Sequence, residues 1–450
     1  MSREITDTKV GEQKTLREIF RIALPAVVSN ISVPLLSLVD TAITGHLGSA
    51  VYIGAIAVGG MVFNVLYWLM GFLRMGTSGL TAQAFGRADG LDLSLQLARG
   101  LLLALAIGLI FVAAAPLIGP VALRLVGCQP DVGQNALVYF RVGILGAPAV
   151  FGIYVFSGWF IGMQNSVWPM AVAIAQNVVN IIASLAFVYG LGMKVEGVAA
   201  GTVVGEYAGL GIFAAIYALR YSRRLPRPSL RRIANRAALL HFFGINRDIF
   251  LRSLMLVAVM SWFTVSGARS GAVVLAANAL LMQLFVIFSY VNDGLAYAAE
   301  AISGKTIGAG NRAEFRLMVR QTMTIGGVAA VAFAAVYAAG GRGFLSLLTN
   351  DAPTVAEAMH YLPFAAMIPL MSVGAFLMDG VFVGATASRQ MLVSAGVSAS
   401  VFFGLWVVLS PSMGNYGLWT AFIGYLAARS GAMLLLYPGV RRRAFAENAK

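Results

Sequence analysis

Charge is scarce in this chain. Asp, Glu, Lys and Arg together make up only 11% of its 450 residues, while 59% are hydrophobic, a balance that a water-facing globular surface does not sustain. The one cysteine, Cys128, excludes an internal disulfide. The three histidines, His46, His241 and His360, stand far apart without metal-ligand spacing, so neither a metal nor any other cofactor is expected. P-loop, dinucleotide fingerprint, nucleophile elbow and metalloprotease helix are all missing, which leaves ATP hydrolysis and bond cleavage without an apparatus. An enzyme is not expected. Residues 1–18 lack the short apolar core of a cleaved signal, so they read as a cytoplasmic tail and the first apolar run as a permanent helix.

What the chain has instead is apolar length. Crossing about 30 Å of hydrocarbon takes about 20 apolar residues in a helix, and such runs recur at 20–44, 51–84, 93–118, 132–162, 166–191, 196–220, 242–266, 272–304, 315–340, 354–385, 390–411 and 415–437. The fold class is therefore an all-α membrane protein of about 12 transmembrane helices. Its 50 glycines suit close helix packing inside a membrane.

The net charge of +14 raises nucleic acid as a partner, but its distribution points to topology. With the tails and every second loop on one side, 22 of the 32 basic residues collect there, among them Arg3, Lys14, Arg87, seven arginines from Arg220 to Arg236, Lys305, Arg312 and Arg441 to Arg443. Only Arg124, Lys194, Arg269 and Arg342 fall on the other. Such a bias sets the cytoplasmic side, so both termini are expected in the cytoplasm and no nucleic-acid role is expected. Residues 221–240, rich in Arg and Pro, separate an N-lobe (19–220) from a C-lobe (241–437), with a second cytoplasmic tail at 438–450. The linker's arginines can also meet anionic lipid headgroups.

The two lobes repeat each other at an offset of 222 residues, the step from Gly45 to Gly267. Ala55 and Ala57 fall on Ala277 and Ala279, Phe63 on Phe285, Gly86 on Gly308, and Tyr139 on Tyr361; Gly158, Phe160 and Gly162 fall on Gly380, Phe382 and Gly384. One register held over successive helices predicts two pseudo-symmetric six-helix lobes, an arrangement that suits a rocking carrier better than a channel.

A charged side chain costs at least about 2.5–3.5 kcal/mol at a membrane-helix centre, so acids inside the spans are the candidates for function. Asp40, in SVPLLSLVDTAITGHLG on the first span, is the candidate ion-coupling group: a buried carboxylate exchanges a proton, and one among oxygen ligands holds sodium. The competing reading is a structural acid bonded to a neighbouring helix. Pro34 lies before it and weakens the helix, which makes it a candidate bend as well as an ordinary static kink. On the fifth span Asn177, Asn180 and Ser184 form one polar stripe, read either as partners for Asp40 or as packing glue. Tyr139 joins them as a candidate lining residue of an N-lobe polar cavity, read equally as ordinary packing. In the C-lobe Asp293 and Glu300, seven residues apart in VNDGLAYAAEAISGK, and Asp379 are candidate acids. They either attract a cation or pair with an intramembrane arginine such as Arg74 or Arg141. Asp248 and Arg252, four apart, read as a local salt bridge, and Glu206 on the sixth span is ambiguous.

VPLLSLVDTAITGHLGS, GFLRMGTSGLTAQAFGRADG and VNDGLAYAAEAISGKTIGAGN resemble the DinF branch of the multidrug and toxic compound extrusion (MATE) family, along nearly the whole chain. The resemblance implies twelve helices in two lobes and antiport at the cell membrane, the inner membrane of a bacterium. Protons or sodium would enter while organic cations or other amphipathic compounds leave, and a monomer is expected. It carries the coupling role to Asp40 and a polar fifth-helix role to Asn180. Some relatives have a second acid where this chain has Ser184, a departure that favours protons over sodium. The nearest alternative is a lipid-linked sugar flippase, whose phosphates would seek Arg74, Arg99, Arg141 and Arg429.

Overall fold

The computed structural model describes residues 2–45 and 49–447; in its first helix the side chains of residues 2–10, 33–35, 37, 38, 41, 44 and 45 are outside that description. Pro34, and the bend expected there, therefore fall outside the described residues. The helices are α1 (Ser2–Gly45), α2 (Ala50–Gly86), α3 (Gly90–Val126), α4 (Pro130–Gly162), α5 (Val167–Gly190), α6 (Val195–Tyr221), α7 (Arg236–Arg269), α8 (Ala272–Gly308), α9 (Arg312–Leu348), α10 (Ala352–Gly384), α11 (Ser388–Met413) and α12 (Asn415–Ala446). Eleven of them, α2 to α12, are long and apolar enough to cross a membrane, and α1 contains the apolar run at 20–44. Among the described residues there is no strand. The chain is a multi-pass membrane protein.

The helices begin and end where local chemistry dictates. Asp89 caps α3 by accepting from the amides of Leu91 (3.1 Å) and Asp92 (2.9 Å), and Asn311 caps α9 by accepting from Glu314 (3.1 Å). Both satisfy amides that the first turn leaves without a helical partner. At the other end of α3, Gly127 takes the left-handed conformation (φ 69°) that stops a helix at little steric cost.

Two compact units result: Val28–Phe243, and Met1–Val27 together with Gly244–Lys450. The start of α1 thus packs with the second-half helices. There Glu18 pairs with Lys305 (2.7 Å), the Gln321 amide donates to the Glu12 carbonyl (2.9 Å), and Gly294 admits Val27 and the Ala23 carbonyl. In the other unit Arg99 of α3 donates to the carbonyls of Arg232 (2.8 Å) and Ile233 (3.3 Å), fixing the linker by its one-turn helix Leu230–Ile233.

The 222-residue repeat reaches down to single backbone contacts. Gly158 on α4 lies against the carbonyl of Arg74, and its counterpart Gly380 on α10 against the carbonyl of Ala296, two residues at the same offset. Gly162 meets Thr81, Ser78 and Ala82, whereas Gly384 meets Ser303, Glu300 and Gly304, again in register. Left-handed residues repeat as well: Ala88 (φ 56°) with Gly310 (φ 69°), and Gln164 (φ 62°) with Thr386 (φ 51°). Positive φ is costly for a residue with a Cβ, so these matched corners show that each half follows one chain path.

A buried ion group joins three helices of the second unit. Asp379 on α10 is paired with Arg252 of α7 and Arg429 of α12, and Asp293 of α8 lies within electrostatic reach of Arg429. Two guanidiniums and two carboxylates balance. The Asp248–Arg252 pair read from the four-residue spacing does not form: Arg252 turns to Asp379, while Asp248 takes Arg247 (2.8 Å) and the Ser388 hydroxyl (3.2 Å). Spacing along a helix cannot reveal a stronger partner on another one.

Two outcomes follow for thermal unfolding of the detergent-solubilised protein. Gly158→Ala and Gly380→Ala, which drive a Cβ into a backbone carbonyl, each lower stability by about 1–3 kcal/mol, while Gly60→Ala, with open space at its Cβ position, does not. Asp379→Asn leaves two guanidiniums facing each other and costs about 3–5 kcal/mol, much of which returns when Arg252 and Arg429 are also replaced by Met.

Candidate functional site

The polar residues of the first unit converge on α5, α6 and the middle of α4. Asn180 on α5 is 2% exposed and donates to the Thr202 hydroxyl of α6 at 3.1 Å. Thr202 in turn donates to the Val198 carbonyl (3.0 Å), and the fully buried Ser184 donates to Asn180 Oδ1 at 3.4 Å. Glycines make this possible: Gly201 leaves room for Ser184 and Gly205 for Asn180, so α5 and α6 approach closely enough for short side chains to meet. Asn177 leaves the stripe and donates to the Ser32 carbonyl of α1 (3.3 Å). The stripe therefore ties α1, α5 and α6 together, and the hydroxyl and amide of Ser184 and Asn180 are spent on one another and on Thr202.

Asp40 sits on α1 next to the apolar contact of this unit, where Ile43, Ala55, Tyr139, Val188 and Val198 are buried together and Val39 packs against them. Its carboxylate is half-buried, with Oδ1 enclosed. Tyr139, buried on α4, lies beside Thr202 and within electrostatic reach of two carboxylates, Asp40 and Glu206. Gly59 gives the Tyr139 ring its place on α2, and Phe63 packs on it edge-on at 6.0 Å. Of the predicted N-lobe set, the structure brings Asn180 and Tyr139 to Thr202, joins Ser184 through Asn180, sets Asp40 within electrostatic reach of Tyr139, and leaves Asn177 on the α1 backbone.

Sequence reasoning left Glu206 ambiguous and did not place it in the N-lobe set. It is 6% exposed on α6, one turn after Thr202, within reach of Tyr67, Tyr139 and Tyr207. Its carboxylate fills the place where a Cβ of residue 146 would stand, which is why glycine is there. Its intramembrane position marks it as a candidate, but nothing in the pattern announces that Gly146 and Tyr67, far away in the chain, build a niche around it.

The second unit treats its acids differently. Asp379 stands between Arg252 and Arg429, in place of the Arg74 or Arg141 named from sequence, and Asp293 lies near Arg429. Glu300 is 1% exposed on α8. Of the arginines that would serve a phosphate-bearing substrate, Arg99 holds the linker and Arg429 holds Asp379. Among the described residues no three His, Cys, Asp or Glu are grouped to hold a metal.

Comparison with known proteins fits this layout. The MatE family model matches residues 25–188 and 249–406, once in each half. DNA damage-inducible protein F of Escherichia coli K12 is 37% identical over 94% of this chain and 92% of its own length. Multidrug resistance protein MdtK of Edwardsiella ictaluri is 22% identical over 95% and 96%. Among solved structures, a MATE in the bent conformation superposes with a TM-score of 0.86 at 19% identity, covering 98% of this chain and 99% of that one. The eukaryotic MATE transporter AtDTX14 gives 0.85 at 17% over 97% and 100%; these likenesses show the twelve-helix fold. With both halves matched by one family model and a relative 37% identical along nearly its whole length, the chain belongs to the MatE family of multidrug and toxin efflux transporters, on its DinF branch.

Proposed function

We propose that the chain is a proton-coupled antiporter that expels organic cations or other amphipathic compounds, with Asp40 as the group whose protonation drives the exchange. It works as a monomer in the inner membrane of a bacterium, termini toward the cytoplasm, an orientation supported by the 22 basic residues gathered on that side. The observation that carries the reading is the pair of carboxylates, Asp40 and Glu206, that share Tyr139 inside an apolar helix unit. A carboxylate in such surroundings is costly when ionised and cheap when protonated, so its charge state can bias which way a carrier opens.

Protons suit this site better than sodium. A hard cation needs several oxygens to replace its water, yet the oxygens of Asn180, Ser184 and Thr202 are already engaged with each other and with the α6 backbone. Exchange then follows population-shift logic: proton binding at Asp40 favours one opening and substrate binding the other.

Proteoliposomes with an imposed pH or sodium gradient test the reading, with ethidium as the transported cation. A pH gradient drives ethidium movement in the wild type and a sodium gradient alone does not; Asp40→Asn lowers the gradient-driven rate at least about tenfold. Full gradient-driven transport by Asp40→Asn, or drive by sodium alone, would overturn the assignment.

A further inference from the structure

Glu206 presents a problem that the coupling role of Asp40 does not solve. Its Oε2 is buried and receives no hydrogen bond from the described residues, and the Tyr67 hydroxyl, also buried, makes none either. A structural acid would be expected to take up that phenol. The groups facing Glu206 are Tyr67 from α2, Tyr139 from α4 and Tyr207 from α6 itself, with Tyr154 of α4 beside Tyr67 and Asp40 of α1 beyond Tyr139. The facing α5 supplies only the uncharged Gln176 and Asn180 against the α6 glycines. Tyr207 is committed, donating to the Leu145 carbonyl at 3.0 Å. Among the described residues no lysine, arginine or histidine forms an ion pair with Glu206.

The described residues supply no counter-charge for this carboxylate, which leaves a charge delivered from the solution. Two carriers are available to a membrane antiporter: a proton, or the cationic centre of a substrate. The aromatic surroundings favour a site able to take both. Tyr67 packs with Phe63 at 5.3 Å and edge-on with Phe151 at 5.7 Å, and Phe151 packs with Tyr154 at 6.5 Å. Ring faces beside a carboxylate attract a large, weakly hydrated cation. Gly146 gives the carboxylate its place, since any side chain there would displace it.

We propose that Glu206, with Tyr67, Tyr139 and Tyr154, forms a second exchange site in the first unit, at which a proton and the onium centre of a lipophilic cation compete. When the cation enters, the carboxylic acid releases its proton to water and the carboxylate becomes the counter-ion; when the cation leaves, a proton returns, so charge balances at each step. This deepens the antiport reading and rests on it for transport, but not for binding.

Tetraphenylphosphonium is the probe, because it has no titratable proton and any pH dependence of its binding belongs to the protein. Binding is measured by calorimetry at pH 6 and pH 8 on the full chain in detergent, with release of protons followed in weak buffer. Wild type binds more tightly at pH 8 and releases protons. Glu206→Gln binds at least about tenfold more weakly at pH 8 and loses most of the pH dependence. Gly146→Ala, which retains the acid but moves it, shows the same loss. Asp40→Asn still binds the probe while failing to transport it. Wild-type affinity and pH dependence in Glu206→Gln would sink the proposal, as would a lowered melting temperature with the pH dependence intact. If Asp40→Asn transports normally while Glu206→Gln loses binding, the coupling role of Asp40 falls and this site stands.

Discussion

A carboxylate inside an apolar helix bundle must be neutralised, and the way each unit meets that demand organises the rest of the molecule. The second unit does it with its own residues. Asp379 stands between Arg252 and Arg429, and Asp293 supplies a second negative charge near Arg429. Removing one charge from such a group is expensive, and adding a proton or a foreign cation upsets the pairing of Asp379. The first unit places Asp40 and Glu206 around a tyrosine, with Glu206 outside any ion pair among the described residues. The neutrality of Glu206 is then left to what the solution delivers, the property that the proposed exchange needs.

The repeat makes this contrast sharper, because the two units share a backbone and differ in what they hang on it. Gly158 and Gly380, Gly162 and Gly384, Gln164 and Thr386 keep the same contacts or the same dihedral region at an offset of 222 residues. The charged positions do not follow. At that offset Asp40 corresponds to Trp262, Asn180 to Phe402 and Glu206 to Ala428; Arg252 corresponds to Asn30, Asp379 to Ser157 and Arg429 to Tyr207. No acid or base of either site survives in its counterpart. The positions where backbones touch tolerate no Cβ and are held in common, while polar side chains facing the interior have been free to diverge into opposite solutions of one electrostatic problem.

This division also explains how much could be read without coordinates. Helix number and limits were legible because crossing hydrocarbon imposes a length, and the predicted runs at 93–118 and 354–385 lie within or within one residue of α3 and α10. The repeat was legible because close backbone contacts demand glycine at fixed positions. Asp40 and the fifth-helix stripe stood out as polar residues in apolar runs. Partner choice was not legible. Asp248 and Arg252 had the right spacing and yet took other partners, and Asp379 found guanidiniums 127 and 50 positions away in the chain. Glu206 was visible only as an acid in an apolar helix, since its surroundings are assembled from α2, α4 and α6.

The asymmetry bears on why one acid alone makes an incomplete account of exchange. A single carboxylate that alternates between proton and substrate cation cannot hold both, which enforces competition but leaves the cation without a counter-charge once the proton has bound. In the proposed exchange two carboxylates in one apolar unit divide the work: a proton at Asp40 biases the opening, while at Glu206 proton and cation replace one another. Tyr139, within electrostatic reach of both, couples them, because the charge on either acid changes the cost of charge on its neighbour. Coupling of this kind is reciprocal for binding: whatever a proton at Asp40 does to cation affinity at Glu206, the cation must do to the proton in equal measure. Glycines that fix the backbone, and an Asp379 already held by two arginines, set that proposed exchange apart as the place where solution conditions can act.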